Sequence, residues 1–463
     1  MIILAGLCLL LVMPLSGCDD DDSGNADTAD PAEQTGTDDT DAGGTDGSEA
    51  NDGGTEGNEG DGGEADDNGE GAAGSDDDPV ASEPMREYAV LNTVAPDFSS
   101  GAHAVINVEP PRQAQNNLQP AISDLGLSTS GRYFYRLMRK DSDSVVKYAV
   151  TAPAEPIWQF SARDDADTVS STNPYALLTA AEDKGYLLRY GSTKAWIVDP
   201  SVTQEGQFKT GTLDLSAYAD ADGIPEMSTG VIVGEQLFVV MQRLDRDNGY
   251  DPGQAYVAVF DTANDTEIDT GVAETEADEL DNVKGFPLPV ENPVKLQYLP
   301  EQEMIYVVGA GRYASSLSDT TVDYSGGIAR IDTATYATEL VVDDGQVLPD
   351  YEPMQITDLA LVGPTQGYFI GYVGWQNTTL YRFDPSTGEV QSEAVAGLYN
   401  QDLRTIAIDS QDKLWVGVAA ADAPGITVID TADDSVETAL IGLDGMNPAS
   451  VGSGVAFCQV SDR

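Results

Sequence analysis

The sequence predicts an all-β fold, a β-propeller of seven four-stranded blades, and three observations carry that expectation. A motif of apolar residues, an Asp and then a Pro or Thr recurs at the ends of strand-like runs. Turns containing Pro precede alternating runs about every fifty residues. Helical periodicity is nearly absent from residue 81 onward.

Ahead of that region lie two segments of different character. Ile2 to Met13 is almost wholly apolar, too short to span a bilayer and suited to the core of a signal peptide. It runs into Leu15-Ser16-Gly17-Cys18, which resembles the bacterial lipobox. The resemblance implies cleavage before Cys18, diacylglycerol on its thiol, and attachment to the membrane through that N-terminal lipid. No Lys or Arg precedes the apolar run, a departure from the usual signal that leaves the true start codon open. Residues 1–17 are therefore read as a lipoprotein signal peptide. Residues 18–80 are read as the lipidated Cys followed by a tether. Positions 19–80 hold 23 Asp or Glu and 14 Gly, with no Lys, Arg or aromatic residue. Such a segment buries too little apolar surface to offset its chain entropy and is expected to be a disordered, self-repelling spacer. As a flexible coil it would span roughly 40–47 Å.

Residues 81–463 carry the fold. The Asp motif appears as Ile197-Val198-Asp199-Pro200, Val259-Phe260-Asp261-Thr262, Ile331-Asp332-Thr333, Phe383-Asp384-Pro385 and Val428-Ile429-Asp430-Thr431. A strand is expected to end at each Asp, whose carboxylate accepts backbone N–H groups in the following turn. The second marker falls at Pro120, Pro174, Pro225, Pro293, Pro353 and Pro448, with Asn400-Gln401-Asp402 keeping the beat where Pro is missing. Seven units result, each with room for four short strands, and six or eight blades are the alternative counts. The last unit has only an innermost strand, expected at 451–457. Candidates for its missing outer strands lie at 88–94 and 104–108, so strands from both termini should close one blade in a one-plus-three arrangement and remove two open edges. The Asp repeat and its spacing resemble those of bacterial YVTN-type and quinoprotein-like propellers. That resemblance covers about 380 residues and is architectural, with no good YVTN tetrapeptide in the chain.

Composition then narrows function. The 80 acidic and 22 basic side chains give a net charge of −58, which excludes nucleic acid and adhesion to an anionic bilayer through basic residues. The surplus acid resembles that of proteins from saline habitats, where carboxylates keep a fold hydrated. A single histidine, His103, removes multi-His metal sites, and no nucleophile-elbow motif surrounds any serine. Cys8, Cys18 and Cys458 make neither a disulfide framework nor an iron–sulfur site, and Cys458 is expected as a buried free thiol. Trp158, Trp196, Trp375 and Trp415 are expected to pack between blades.

The candidate site residues follow from the predicted turns. Tyr175, Glu226, Lys295, Gln355 and Arg404 lie shortly after the turns that lead into inner strands, and so at one mouth of the central channel. Lys295 and Arg404 are rare cations there, either anchors for an anionic group or, the preferred reading, partners of neighbouring carboxylates. Asp245, Asp247 and Asp251 place oxygen ligands at alternate positions, as in a calcium loop, although the Gly is out of register and the twelfth-position Glu is lacking. Calcium is thus the one cofactor the sequence suggests, there or at the shorter Asp220-Ala221-Asp222-Gly223, against the preferred reading of solvated loops. Insertions at 245–253 and 312–327 are expected to project from a rim and meet partners.

The function expected is a lipid-anchored extracytoplasmic module that binds a small-molecule ligand or an envelope protein without catalysis. The alternatives are a metal- or quinone-dependent hydrolase or dehydrogenase, and a purely structural envelope protein. The long tether favours display on the surface of the outer membrane over a periplasm-facing anchor.

Overall fold

The computed structural model describes residues 85–463 apart from 141, 276–277, 313–321, 350, 451, 453 and 462–463. The signal segment, Cys18, the acidic tether and most of the 312–327 loop lie outside the described residues.

Seven antiparallel blade sheets succeed one another along the described chain and close into a ring, with one small two-stranded hairpin beside them. Blades 1 to 6 occupy 125–161, 174–214, 227–267, 293–343, 355–383 and 403–442, each starting at its innermost strand. Blade 7 combines Val455–Ser461 as innermost strand with Met85–Val94, Gly101–Asn107 and Ala114–Ala121. This is the expected closure by both termini, with two adjustments. The inner strand runs four residues later than the sequence suggested, and the third N-terminal strand of the one-plus-three closure, which the sequence left unplaced, is Ala114–Ala121. Ala114–Ala121 contains Pro120, which therefore sits in an edge strand and not in the turn expected there. Blade 5 departs from four strands: its outermost one shrinks to a single bridge between Phe383 and Val390.

The strands form where apolar runs can be covered on both faces. Second strands such as Gln236–Met241 (QLFVVM) and Met304–Gly309 (MIYVVG) are nearly continuous in burial, because a blade is sandwiched between its neighbours. Outer strands alternate instead, as in Pro156–Ser161, where Trp158 and Phe160 face inward and Gln159 faces water. The core is accordingly divided into seven apolar clusters, one at each blade–blade junction. Trp158 and Trp196 fill the junction of blades 1 and 2, and Trp415 fills that of blades 6 and 7.

The Asp motif performs the task expected of it in five blades. The Oδ1 atoms of Asp199, Asp261, Asp332, Asp384 and Asp430 each accept a backbone N–H from the residue two places on, at 2.7–3.0 Å. Asp332 accepts a second bond from Thr335 N at 2.8 Å. Asp332→Ala frees both N–H groups while leaving the strands intact. It is expected to lower stability by about 1 kcal/mol in urea unfolding without changing the slope.

Candidate functional site

Antiparallel blades put two sets of connections on one face: those leading into each inner strand and those joining second to third strands. At that face the backbone repeats a local device. The carbonyls of Asp124, Asn173, Glu226, Asn292 and Asp402 accept N–H bonds from Arg139, Tyr190, Gln242, Ala310 and Ala419, at 2.8–3.1 Å. Each acceptor immediately precedes an inner strand, and each donor immediately follows a second strand. In blades 2 to 6 the strand pairing then slips by one residue at Tyr175, Ser228, Val294, Thr357 and Arg404. Such bulges bend a strand and re-aim its side chains, here around the channel mouth. Asn173, Glu226 and Asn292 all take φ near +50°. Asn tolerates that conformation, whereas Glu rarely adopts it and must be held there by its surroundings.

Around Glu226 the face carries a row of interlocked polar groups. Arg139 donates from Nε to Asp124 Oδ1 at 2.6 Å, and its guanidinium lies 4.2 Å from the Tyr175 ring centroid. Tyr175 stacks on Tyr190 with centroids 4.5 Å apart. Tyr190 is buried, its hydroxyl has no hydrogen-bond partner among the described residues, and Glu226, Tyr175, Arg246 and Arg139 are the charged or titratable groups that act on it. Glu226 is fully buried; its Oε2 accepts from Leu244 N at 3.2 Å, and its Oε1 makes no hydrogen bond although Arg246 Nε lies 3.4 Å away. Asp222 accepts from Arg246 Nε at 2.6 Å and from Arg246 N at 3.1 Å. The segment Asp220-Ala221-Asp222-Gly223 curls through two successive side-chain turns. Asp222 N donates to Asp220 Oδ1 and Ile224 N donates to Asp222 Oδ1, each at 2.9 Å. Asp220 Oδ2 is left buried with no hydrogen-bond partner.

The electrostatics separate neighbouring acids. Burial pushes the Glu226 carboxyl up to about 10, and the charges of Asp222 and Asp220 add to the rise. Burial also raises Asp220. Burial opposes ionisation of Asp222 as well, but the bonds from Arg246 outweigh it and hold that carboxyl below its ordinary value. One neutral and one ionised carboxyl thus stand side by side.

The other residues expected at the mouth are engaged within the protein. Lys295 Nζ reaches Asp358 Oδ1 at 2.5 Å and the Ile406 carbonyl at 2.8 Å, linking the inner strands of blades 4, 5 and 6. Gln355 donates to the Ala310 and Arg312 carbonyls at 2.6 and 3.2 Å. Arg404 forms a two-pronged pair with Asp402, 2.7 Å from Nη2 to Oδ2, and lies over the half-buried Trp375 with 5.2 Å to the ring centroid. Trp375 lines a small cleft with Tyr372, Thr378 and Arg404, so it does not pack between blades as expected.

Asp245, Asp247 and Asp251 occupy a short hairpin, Leu244–Asp245 with Asp251–Pro252. Asp245 caps its turn by accepting from Asp247 N and Asn248 N, both at 3.1 Å; Asp251 pairs with Arg312, and Asp247 points to solvent. The hairpin delivers Arg246 to Asp222. Among the described residues, the acidic group whose ligand oxygens lie within 4.8 Å of one another is Asp220, Asp222 and Glu226. The sequence offered these as two separate features, and Asp124, Arg139 and Tyr190 carried no signal of their own.

His103 and Cys458 serve the framework. His103 Nε2 donates to the Pro153 carbonyl at 2.8 Å and Nδ1 accepts from Arg136 at 3.0 Å. Burial, helped by Arg136, lowers the imidazole to about 4 and keeps it neutral. Cys458 is buried, and burial pushes its thiol up to about 12. Asp344, in the connection to blade 5, is fully buried, with Oδ1 unpartnered and Oδ2 accepting from Gly326 N at 3.3 Å. Burial raises it to about 7, with Asp343 and Asp323 adding to the effect.

No family model matches the sequence, and no curated protein matches it. Solved structures do match in shape. A protein from Lactobacillus plantarum aligns at 14% identity over 81% of this chain and 99% of its own, with a TM-score of 0.52. A candidate 6-phosphogluconolactonase from Bacteroides uniformis aligns at 12% identity over 80% and 99%, with a TM-score of 0.49. Apo AztD from Citrobacter koseri aligns at 15% identity over 81% and 98%, with a TM-score of 0.44. Identity this low carries fold and nothing further. From its seven successive sheets, the closure of its ring by both termini and the shape it shares with the Lactobacillus plantarum structure, the chain is a seven-bladed β-propeller.

Proposed function

We propose that this chain is a lipid-anchored, extracytoplasmic binding propeller displayed on the outer membrane, and that it engages its ligand or protein partner at the channel mouth over blades 1 to 3. The supporting observation is the row from Arg139 to Asp220, where the Tyr190 hydroxyl, Glu226 Oε1 and Asp220 Oδ2 are buried without hydrogen-bond partners. Buried polar atoms are costly to leave unmet, and a polar ligand at this mouth would meet them. Lys295 and Arg404, by contrast, are already neutralised by Asp358 and Asp402. Anchoring rests on Leu15-Ser16-Gly17-Cys18 and the acidic spacer after it.

Two measurements test this reading. The mature N-terminus should carry lipid on Cys18, and Cys18→Ala should release the protein from membranes. A photo-crosslinking residue installed at exposed Asp247, on the site's face, should trap a discrete adduct on intact cells; one at Asn264, in a turn on the opposite face, should not. Equal adducts from both positions, or none from Asp247, would sink the channel-mouth assignment. A second reading, metal-dependent hydrolysis, draws on the neutral Glu226 beside the ionised Asp222, the division of roles that acid–base chemistry requires. It demands turnover that a chelator abolishes.

A further inference from the structure

We propose that Asp220, Asp222 and Glu226 form a binding site for a hard divalent cation, calcium foremost. The inference rests on the channel mouth being the binding face and names the ligand class it takes there.

Geometry is the first support. One carboxylate oxygen from each residue lies within 4.8 Å of the other two. Oxygens on opposite sides of a calcium ion stand about 4.6–5.2 Å apart, given bonds of roughly 2.3–2.6 Å. Satisfaction is the second. Asp220 Oδ2 and Glu226 Oε1 are buried and accept no hydrogen bond, and the carboxylate of Asp222 is almost wholly shielded at 3% exposure. Tyr190 supplies an observation independent of the acids. Its hydroxyl is buried, has no hydrogen-bond partner and sits within the electrostatic reach of Glu226 and Arg246. It can offer a fourth oxygen or bind a water of the ion.

Charge is the third support. Three carboxylates face one guanidinium, and a divalent cation would bring the fully ionised pocket to neutrality. Arg246, 34% exposed at its side chain, bonds to Asp222 and lies 3.4 Å from Glu226 Oε1, while Asp220 Oδ2 is left without a hydrogen bond. Every donor is oxygen, which suits calcium or magnesium and disfavours zinc, whose preferred ligands are nitrogen and sulfur. Calcium tolerates an irregular oxygen set that magnesium's strict octahedron does not.

The test uses the full chain, stripped with chelator, titrated with CaCl2 by calorimetry and with Tb3+ by luminescence excited through tyrosine. One saturable site is expected above the weak, non-saturating uptake of the acidic tether, with calcium displacing Tb3+ and raising the unfolding temperature. Asp220→Asn and Glu226→Gln should each weaken the saturable site at least tenfold while leaving the circular dichroism spectrum unchanged. Tyr190→Phe, a milder change, should weaken it severalfold. Absence of a saturable site in the unaltered chain overturns the proposal regardless of how the variants fold. So does unchanged affinity in folded Asp220→Asn and Glu226→Gln. Adducts from Asp247 that persist without calcium binding would remove the ion and leave the partner-binding reading standing.

Discussion

A chain ending at Gly454 is expected to lose its closed ring and to elute as aggregate, whereas one ending at Ser461 should behave as the full chain. Val455–Ser461 pairs with Met85–Val94 at seven positions, from Leu91 opposite Val455 to Met85 opposite Ser461. An antiparallel ladder of this length holds about seven hydrogen bonds, each with a net worth of about 0.5–1.5 kcal/mol. The loss is thus about 4–10 kcal/mol, comparable to the entire stability of an ordinary domain. It also strips Val455 from the junction of blades 6 and 7 and Cys458 from that of blades 7 and 1. Size-exclusion chromatography and thermal melts decide the matter. A monomeric truncated chain with an unshifted, cooperative melt would refute this account of closure.

Asp344→Asn should make the protein more stable at neutral pH and flatten its pH dependence. The folded carboxyl titrates at about 7, against an ordinary value of 3.8, because burial opposes its charge. Between those values the folded protein holds a proton that the unfolded chain has released, so stability falls as pH rises, at up to about 1.4 kcal/mol per unit. The full benefit of the protonated form is present below pH 3.8 and is lost as pH climbs through about 7. By pH 7 the penalty is about 4 kcal/mol. An amide carries no charge to desolvate, but its NH2 would meet the space where Oδ1 has no partner, which costs about 1–3 kcal/mol. A net gain of about 1–3 kcal/mol is expected in urea unfolding at pH 7, shrinking to nothing or reversing at pH 4. A gain of equal size at both pH values would show that Asp344 is not the titrating group.

The architecture was legible because it rests on local chemistry repeated in the chain. An Asp that caps its own turn needs no distant partner, so Asp199, Asp261, Asp332, Asp384 and Asp430 mark strand ends in the sequence as clearly as in the fold. Closure was legible from a shortage of strands at one end and a surplus at the other. Ala114–Ala121 was hidden because an outer edge strand faces water and its residues, AQNNLQPA, carry no apolar alternation. Blade 5 lost its fourth strand for a related reason. Glu389-Val390-Gln391 has the look of a strand, but only Val390 meets Phe383.

The candidate site was legible in pieces. Glu226 stood out by its place after a Pro-containing turn and Asp220-Ala221-Asp222-Gly223 by its turn chemistry, yet nothing in the order of residues says that they converge. Arg246 was visible only as a member of an apparent calcium loop. The hairpin that carries it is stiffened by the acids that suggested calcium, Asp245 capping its turn and Asp251 tied to Arg312. The expectation that Lys295 and Arg404 pair with neighbouring acids follows from scarcity: where carboxylates far outnumber cations, each cation finds one.

Joining the first described strand to the last also sets a timetable for folding. Met85–Val94, Gly101–Asn107 and Ala114–Ala121 come first among the described strands, yet the partner of Met85–Val94 is complete only at residue 461. Until that strand arrives the three-stranded sheet has one edge uncommitted, and its partners lie more than 360 residues away, a long-range pairing of the slow kind to form. The composition of Ala114–Ala121 acquires a purpose in that light. Polar residues and Pro120 along the outer edge discourage pairing with a stranger during the wait, while the apolar edge of Met85–Val94 is reserved for a strand not yet made.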